Sequence, residues 1–156
     1  MTKPHARRAG LDDLDALGHL YDAYRQFYGM PSEPDATRAY LKARLTNEES
    51  VVFVAEAGSR VIGFCQLYPS FCSVFMGPIF VLYDMFVASE ARQRGAGASL
   101  LASAAQHADR HGALRMDLKT ARNNEAAQSL YEANGWVRNE MFYEYNRMPS
   151  GASGHP

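Results

Sequence analysis

Residues 79–87 read Ile-Phe-Val-Leu-Tyr-Asp-Met-Phe-Val, an almost unbroken apolar run with a single carboxylate, Asp84, inside it. Such a run has no polar face to turn to water, so it predicts a strand covered on both sides. That strand needs a sheet with helices above and below it. The rest of the chain supplies the elements. Residues 51–55 and 61–68 are β-branched and apolar and are separated by Gly58-Ser59, which predicts an antiparallel hairpin. Apolar side chains at Leu11, Leu14, Leu17, Tyr21, Tyr24 and Tyr28 recur every three or four positions. They predict one helix face, opened by Asp12 or Asp13 and closed near Gly29. Further helices are expected over 36–45, 95–111 and 124–134, and further strands over 5–9, 114–119, 136–139 and 141–146. Residues 69–78, with two prolines, read as a loop or irregular strand. The expected fold is α/β (α+β): a mixed, mostly antiparallel sheet of about seven strands flanked by about four helices. Residues 1–148 form the domain, and the Gly/Ser/Pro-rich residues 149–156 a flexible tail.

Charge and composition remove several function classes. The 16 basic and 17 acidic residues of this 156-residue chain nearly cancel, which argues against nucleic-acid binding. No apolar run approaches the roughly 20 residues needed to cross a bilayer, and no apolar stretch follows the basic start as a signal peptide requires. Two cysteines, Cys65 and Cys72, cannot staple a domain of this size and read as reduced thiols of a cytoplasmic protein. The five histidines, His5, His19, His107, His111 and His155, show no ligand spacing with them, so no metal is expected.

The segment after the apolar strand carries the chemistry. Arg92-Gln93-Arg94-Gly95-Ala96-Gly97-Ala98 places small residues at a helix N-terminus, where backbone N–H groups can approach a ligand and the helix dipole favours an anion. Arg92 and Arg94 add charge for phosphate oxygens. The segment therefore points to a pyrophosphate. A dinucleotide site would want a third glycine where Leu100 stands, and the Gly-Lys-Ser/Thr of nucleotide triphosphatases is absent. On these residues alone, a tight strand-to-helix turn with nothing bound remains open.

Two motifs in order narrow the choice. Residues 92–97 resemble the Arg/Gln-x-x-Gly-x-Gly/Ala signature of the GNAT acetyltransferase superfamily. Residues 124–136, from Asn124 through Ala127, Leu130 and Tyr131 to Trp136, resemble that family's Asn-x-x-Ala-x-x-Leu-Tyr-x-x-x-Gly-Phe pattern, with tryptophan replacing phenylalanine. The resemblance implies that acetyl-coenzyme A is the co-substrate, that the central strands splay to admit it, and that Arg92 to Ala98 hold its pyrophosphate. It further implies that Met85, Phe86 and Val87 bond the pantetheine arm through their backbone, and that Asn124 holds the same arm or an adjacent segment, with Ala127 leaving room. The length, residues 24–28 and the acid before Met85 look like the compact polyamine and D-amino-acid members.

Tyr131 matches the family's general acid, and a phenol with a reference pKa of about 10 carries its proton at neutral pH; a packed core tyrosine is the plain alternative. The base is less legible. Where the polyamine relatives have a glutamate this chain has Tyr83. Its neighbour Asp84, expected on the opposite face by strand alternation, could act through water or be a structural carboxylate. Neither cysteine has a partnered histidine, so a direct transfer is expected rather than an acetyl-enzyme. The acceptor, expected to be a small amine, would lie among Tyr24, Tyr28 and Tyr83, with Tyr21, Phe27, residues 69–76 and Tyr143 nearby. A peptide acetyltransferase and a non-catalytic acyl-coenzyme A sensor are the competing functions. The last two expected strands could pair across a two-fold axis, giving a homodimer.

Overall fold

A computed structural model describes residues 2–151; the expected tail falls mostly on residues 152–156, which lie outside the described part. Among these described residues the sheet has five strands in the order β1 (His5–Arg8), β2 (Val51–Ala57), β3 (Arg60–Cys72), β4 (Gly77–Val87) and β5 (Met116–Leu118). The first four are antiparallel, and β5 runs parallel to β4. A parallel return needs a crossover, and α3 (Ala96–Arg110) provides it. The remaining helices are α1 (Leu14–Phe27), α2 (Pro34–Thr46) and α4 (Glu125–Ala133).

Alternation along the strands divides the core into two layers. Val52, Val54 and Phe64 pack with Leu17 of α1 and Leu41 of α2. Phe53, Cys65, Leu67 and Leu82 pack with Leu100, Leu101 and Ala104 of α3. The helices thus cover both faces, as the apolar run over 79–87 requires. Asp13 closes the turn before α1: its carboxylate accepts from the Gly10 N–H at 2.8 Å and pairs with Arg7.

Two expectations are revised. Of the loop or irregular strand expected over residues 69–78, the strand is found: β3 and β4 stay paired through Cys72↔Gly77, leaving only residues 73–76 as the turn. A proline lacks only the N–H, and Pro78 still accepts through its carbonyl, from the Leu114 N–H at 2.9 Å. At the other end, residues 136–139 and 141–146 form no strands, so among the described residues the sheet has five strands rather than about seven. Their alternating pattern is strand-like, but a strand exists only against a neighbour. The adjacent edge, β5, is three residues long.

Candidate active site

The pairing of β4 with β5 ends at Leu82↔Leu118, and beyond it the two strands part. A cleft of about 360 Å³ opens there, walled by β4, the turn into α3, Lys119 and Thr120 after β5, α4, and the C-terminal end of α1. This is the splay expected between the central strands. The cleft gathers Tyr24, Tyr28, Tyr83, Met85, Phe86, Val87, Arg92, Gln93, Gly95, Ala96, Gly97, Ala98, Asn124, Ala127 and Tyr131, all expected from the sequence. Arg94 and Asp84 do not line it, and neither do Tyr21, residues 69–76 or Tyr143, which were expected on the acceptor side.

At one end stands the α3 N-terminus. Gly95 is its N-cap, with φ at +90° and no side-chain cap, so the first N–H groups of the helix are left to solvent or a ligand. Gln93 also takes a left-handed conformation, at φ 61°. Arg92 folds back on β4, its Nε donating to the Val87 carbonyl at 3.0 Å and its guanidinium lying over the Phe86 ring. The second glycine has a packing reason. A Cβ at Gly97 would come within 2.7 Å of Leu130 on α4 and 3.1 Å of Met85, so its bareness lets α4 and β4 close on the turn. Gly95→Ala, by contrast, has space but meets the wrong backbone geometry. The change is expected to lower stability by about 1–2 kcal/mol and to raise the KM for acetyl-CoA, seen as a drop of a few degrees in Tm and in initial-rate kinetics.

The opposite wall is α4. Asn124 caps it, the side-chain oxygen accepting from the Ala127 N–H at 3.1 Å, which adds a structural duty to a residue expected to face the pantetheine arm. About two turns later, Tyr131 packs beside Trp136 with ring centroids 6.2 Å apart. Burial, with Tyr28 and Cys65 close by, pushes its phenol up to about 12, so it is protonated at any physiological pH.

Asp84 and Tyr83 require a correction. The register of β3 and β4 slips between Gln66↔Asp84 and Leu67↔Leu82, which leaves Tyr83 as an extra residue in a bulge. A bulge breaks alternation, so these neighbours do not oppose one another. Tyr83 meets the Tyr68 ring at 5.5 Å, and Tyr68 in turn shares a 2.6 Å hydroxyl contact with Tyr40 of α2. Asp84 is turned to the same helices: it is buried and interacts with the hydroxyl of Tyr24 on α1. The Gln66 amide donates to its carboxylate at 2.8 Å, and the Ser50 hydroxyl donates to Gln66 at 2.7 Å. Burial raises the Asp84 carboxyl above the ordinary carboxylate range, against the opposing bonds from Gln66 and Tyr24. Asp84 does not itself line the cleft, whereas Tyr24, with which it interacts, does.

The cysteines stay outside this chemistry. Cys65 is fully buried in the α3 layer, and burial pushes its thiol up to about 12. Sequence reasoning missed Lys119 and Thr120, although ligands in such sheets gather past the carboxyl ends of strands. It also missed Gln66, whose signal was a lone amide inside an apolar run. Among the described residues, no cluster of three or more His, Cys, Asp or Glu could hold a metal, and no helix is long and apolar enough to cross a membrane.

A family model described as Acetyltransferase (GNAT) family matches residues 17–136, spanning both the anion turn and α4. The chain belongs to the GNAT acetyltransferase family. It is 44% identical over 139 residues to the uncharacterized N-acetyltransferase YhfO of Bacillus subtilis (strain 168), covering 89% of this chain and 93% of that protein. It is 30% identical to a probable acetyltransferase of Haemophilus influenzae over 81% of this chain and 86% of the relative. A crystal structure of a probable acetyltransferase superposes with a TM-score of 0.88 at 40% identity, covering 94% of this chain and 98% of the other. The fold is shared with AAC(6')-Iy in complex with a bisubstrate analog containing CoA, at TM-score 0.78, 23% identity, and coverage of 94% and 99%. This GNAT chain is accordingly an acetyltransferase enzyme.

Proposed function

We propose that this enzyme transfers the acetyl group of acetyl-CoA directly to a primary amine of a small molecule. Tyr131 serves as general acid, and Asp84 as a proton acceptor reached through Tyr24. The observation that carries the reading is the single cleft running from an uncapped helix N-terminus, past a protonated phenol, to a tyrosine backed by a buried carboxylate. The two ends fit the two substrates. The α3 N–H groups with Arg92 suit a pyrophosphate, and the open backbone of β4 beyond Leu82 suits an extended amide-bearing arm. Acetyl-CoA supplies an activated acyl carbon on a thiol leaving group.

The proton balance closes with residues present. The substrate ammonium gives one proton to the Tyr24 oxygen as the Tyr24 hydroxyl proton passes to Asp84, leaving Tyr24 unchanged and Asp84 neutral. The free amine then forms a nitrogen–carbon bond at the acyl carbon. As the carbon–sulfur bond breaks, Tyr131 protonates the sulfur and regains a proton from the acylated nitrogen. The net products are the amide, the thiol and one proton, which Asp84 returns to solvent. Neither thiol of the chain takes part.

The deciding experiment is a thiol-release assay with acetyl-CoA against a panel of amines and peptides. Release with a small amine is expected. Release with peptides alone would make the enzyme a peptide acetyltransferase, and binding without release on any amine would make it a sensor.

We also expect a homodimer. The large apolar side chains of residues 137–145 stand nearly bare, from 76% exposed at Phe142 to 91% at Val137. Phe142, Tyr143 and Tyr145, at roughly 150–250 Å² each, offer on the order of 500 Å² of surface. With Val137 and Met141 that approaches the roughly 800 Å² each partner buries in a specific dimer. Sedimentation at micromolar concentration should give a dimer, and Phe142→Glu with Tyr145→Glu a monomer. A monomeric unaltered chain would remove the expectation.

A further inference from the structure

The charge inside the cleft restricts the amine beyond its size. Among the described residues lining it there is no aspartate or glutamate; the charged ones are Arg92 and Lys119, both cationic. Three carboxylates of the neighbouring elements are already engaged. Glu144 pairs with Lys119. Asp22 of α1 is buried, accepting from the Ser32 hydroxyl at 2.6 Å and the Glu33 N–H at 2.7 Å. Asp84 lies behind Tyr24. The acceptor end is instead aromatic: Tyr24, Phe27, Tyr28, Tyr83 and Phe86 line it. The Tyr24 and Tyr28 rings meet edge to face at 5.1 Å, as do Phe27 and Tyr28 at 5.3 Å, so these rings form one continuous wall.

Such a wall holds one ammonium well. A cation over a tyrosine face is attracted by the negative face of the ring, and the Tyr24–Asp84 path removes its proton. It offers nothing to a second ammonium, which would lose hydration without a carboxylate partner. From this we infer that the acceptor is a primary monoamine with an apolar or aromatic body, and that polyamines and aminoglycosides are poor substrates. The inference rests on the acetyl transfer proposed above and narrows its acceptor.

The test compares phenethylamine, spermidine and neamine as acceptors in the thiol-release assay, with an alanine-ended peptide alongside. The expected result is a kcat/KM for phenethylamine at least tenfold above those of spermidine and neamine. Equal or better turnover of spermidine or neamine overturns the inference and leaves acetyl transfer to small amines standing. Turnover of the peptide alone overturns it together with the small-molecule reading, and no release with any acceptor overturns acetyl transfer itself. A second variant addresses the cause. Tyr28→Glu places a carboxylate in the half-exposed part of the wall and should shift the spermidine-to-phenethylamine ratio upward by tenfold or more. An unmoved ratio in a folded variant means the missing carboxylate does not set the selectivity.

Discussion

Tyr131→Phe is expected to lower kcat by roughly 10²-fold or more while leaving the KM for acetyl-CoA within about twofold. The variant keeps the ring, so the packing against Trp136 and the α3 layer survives and the melting temperature should barely move. Only the proton donor is lost. The thiolate must then leave unprotonated or take a proton from water, and that penalty falls on the transition state alone. Because the phenol is pushed up to about 12, the native enzyme should show no loss of rate from its ionisation below about pH 10. Steady-state rates across pH, with circular dichroism to confirm the fold, check both parts. Unchanged turnover in the phenylalanine variant would take Tyr131 out of the chemistry and return it to the core.

Much of this site was legible because it rests on local rules. The apolar run over 79–87 demanded two covered faces, and the small residues after Arg94 demanded an exposed helix N-terminus; both are present. The motif residues Asn124, Ala127 and Tyr131 meet that helix end in one cleft. What could not be read depends on which strand lies beside which. The bulge at Tyr83 arises from the register between β3 and β4, and it sets Tyr83 beside Tyr68 while Asp84 keeps the face that alternation shares with Phe86. Residues 136–146 failed for a related reason. Their alternation describes a strand that lacks a ladder, and nothing within the sequence announces that the neighbouring edge is only three residues long. Gln66 and Ser50 lie sixteen positions apart, so their contact is equally invisible before folding.

Asp84→Asn should separate stability from catalysis. Burial holds the native carboxyl above its unfolded value, so the folded state binds the proton more tightly than the unfolded chain does. Stability from that source is fully present below the unfolded pKa and is lost as pH rises through the raised native one. Asparagine never ionises, and its side-chain oxygen can still accept from Gln66. The variant should therefore melt at the same temperature as the native protein near pH 4 and at an equal or higher temperature at pH 8. Its kcat/KM should nevertheless fall by roughly 10²-fold, since the proton path from the ammonium ends on a group that cannot accept. The acid limb of the native pH–rate profile, set by Asp84, should disappear with it. Tyr24→Phe should erase the same limb while keeping the carboxylate, because the path is cut one residue earlier. A structural carboxylate would give the opposite pattern: altered melting with the pH–rate profile intact in both variants. That pattern would place the base elsewhere and leave Asp84 as a buried partner of Gln66.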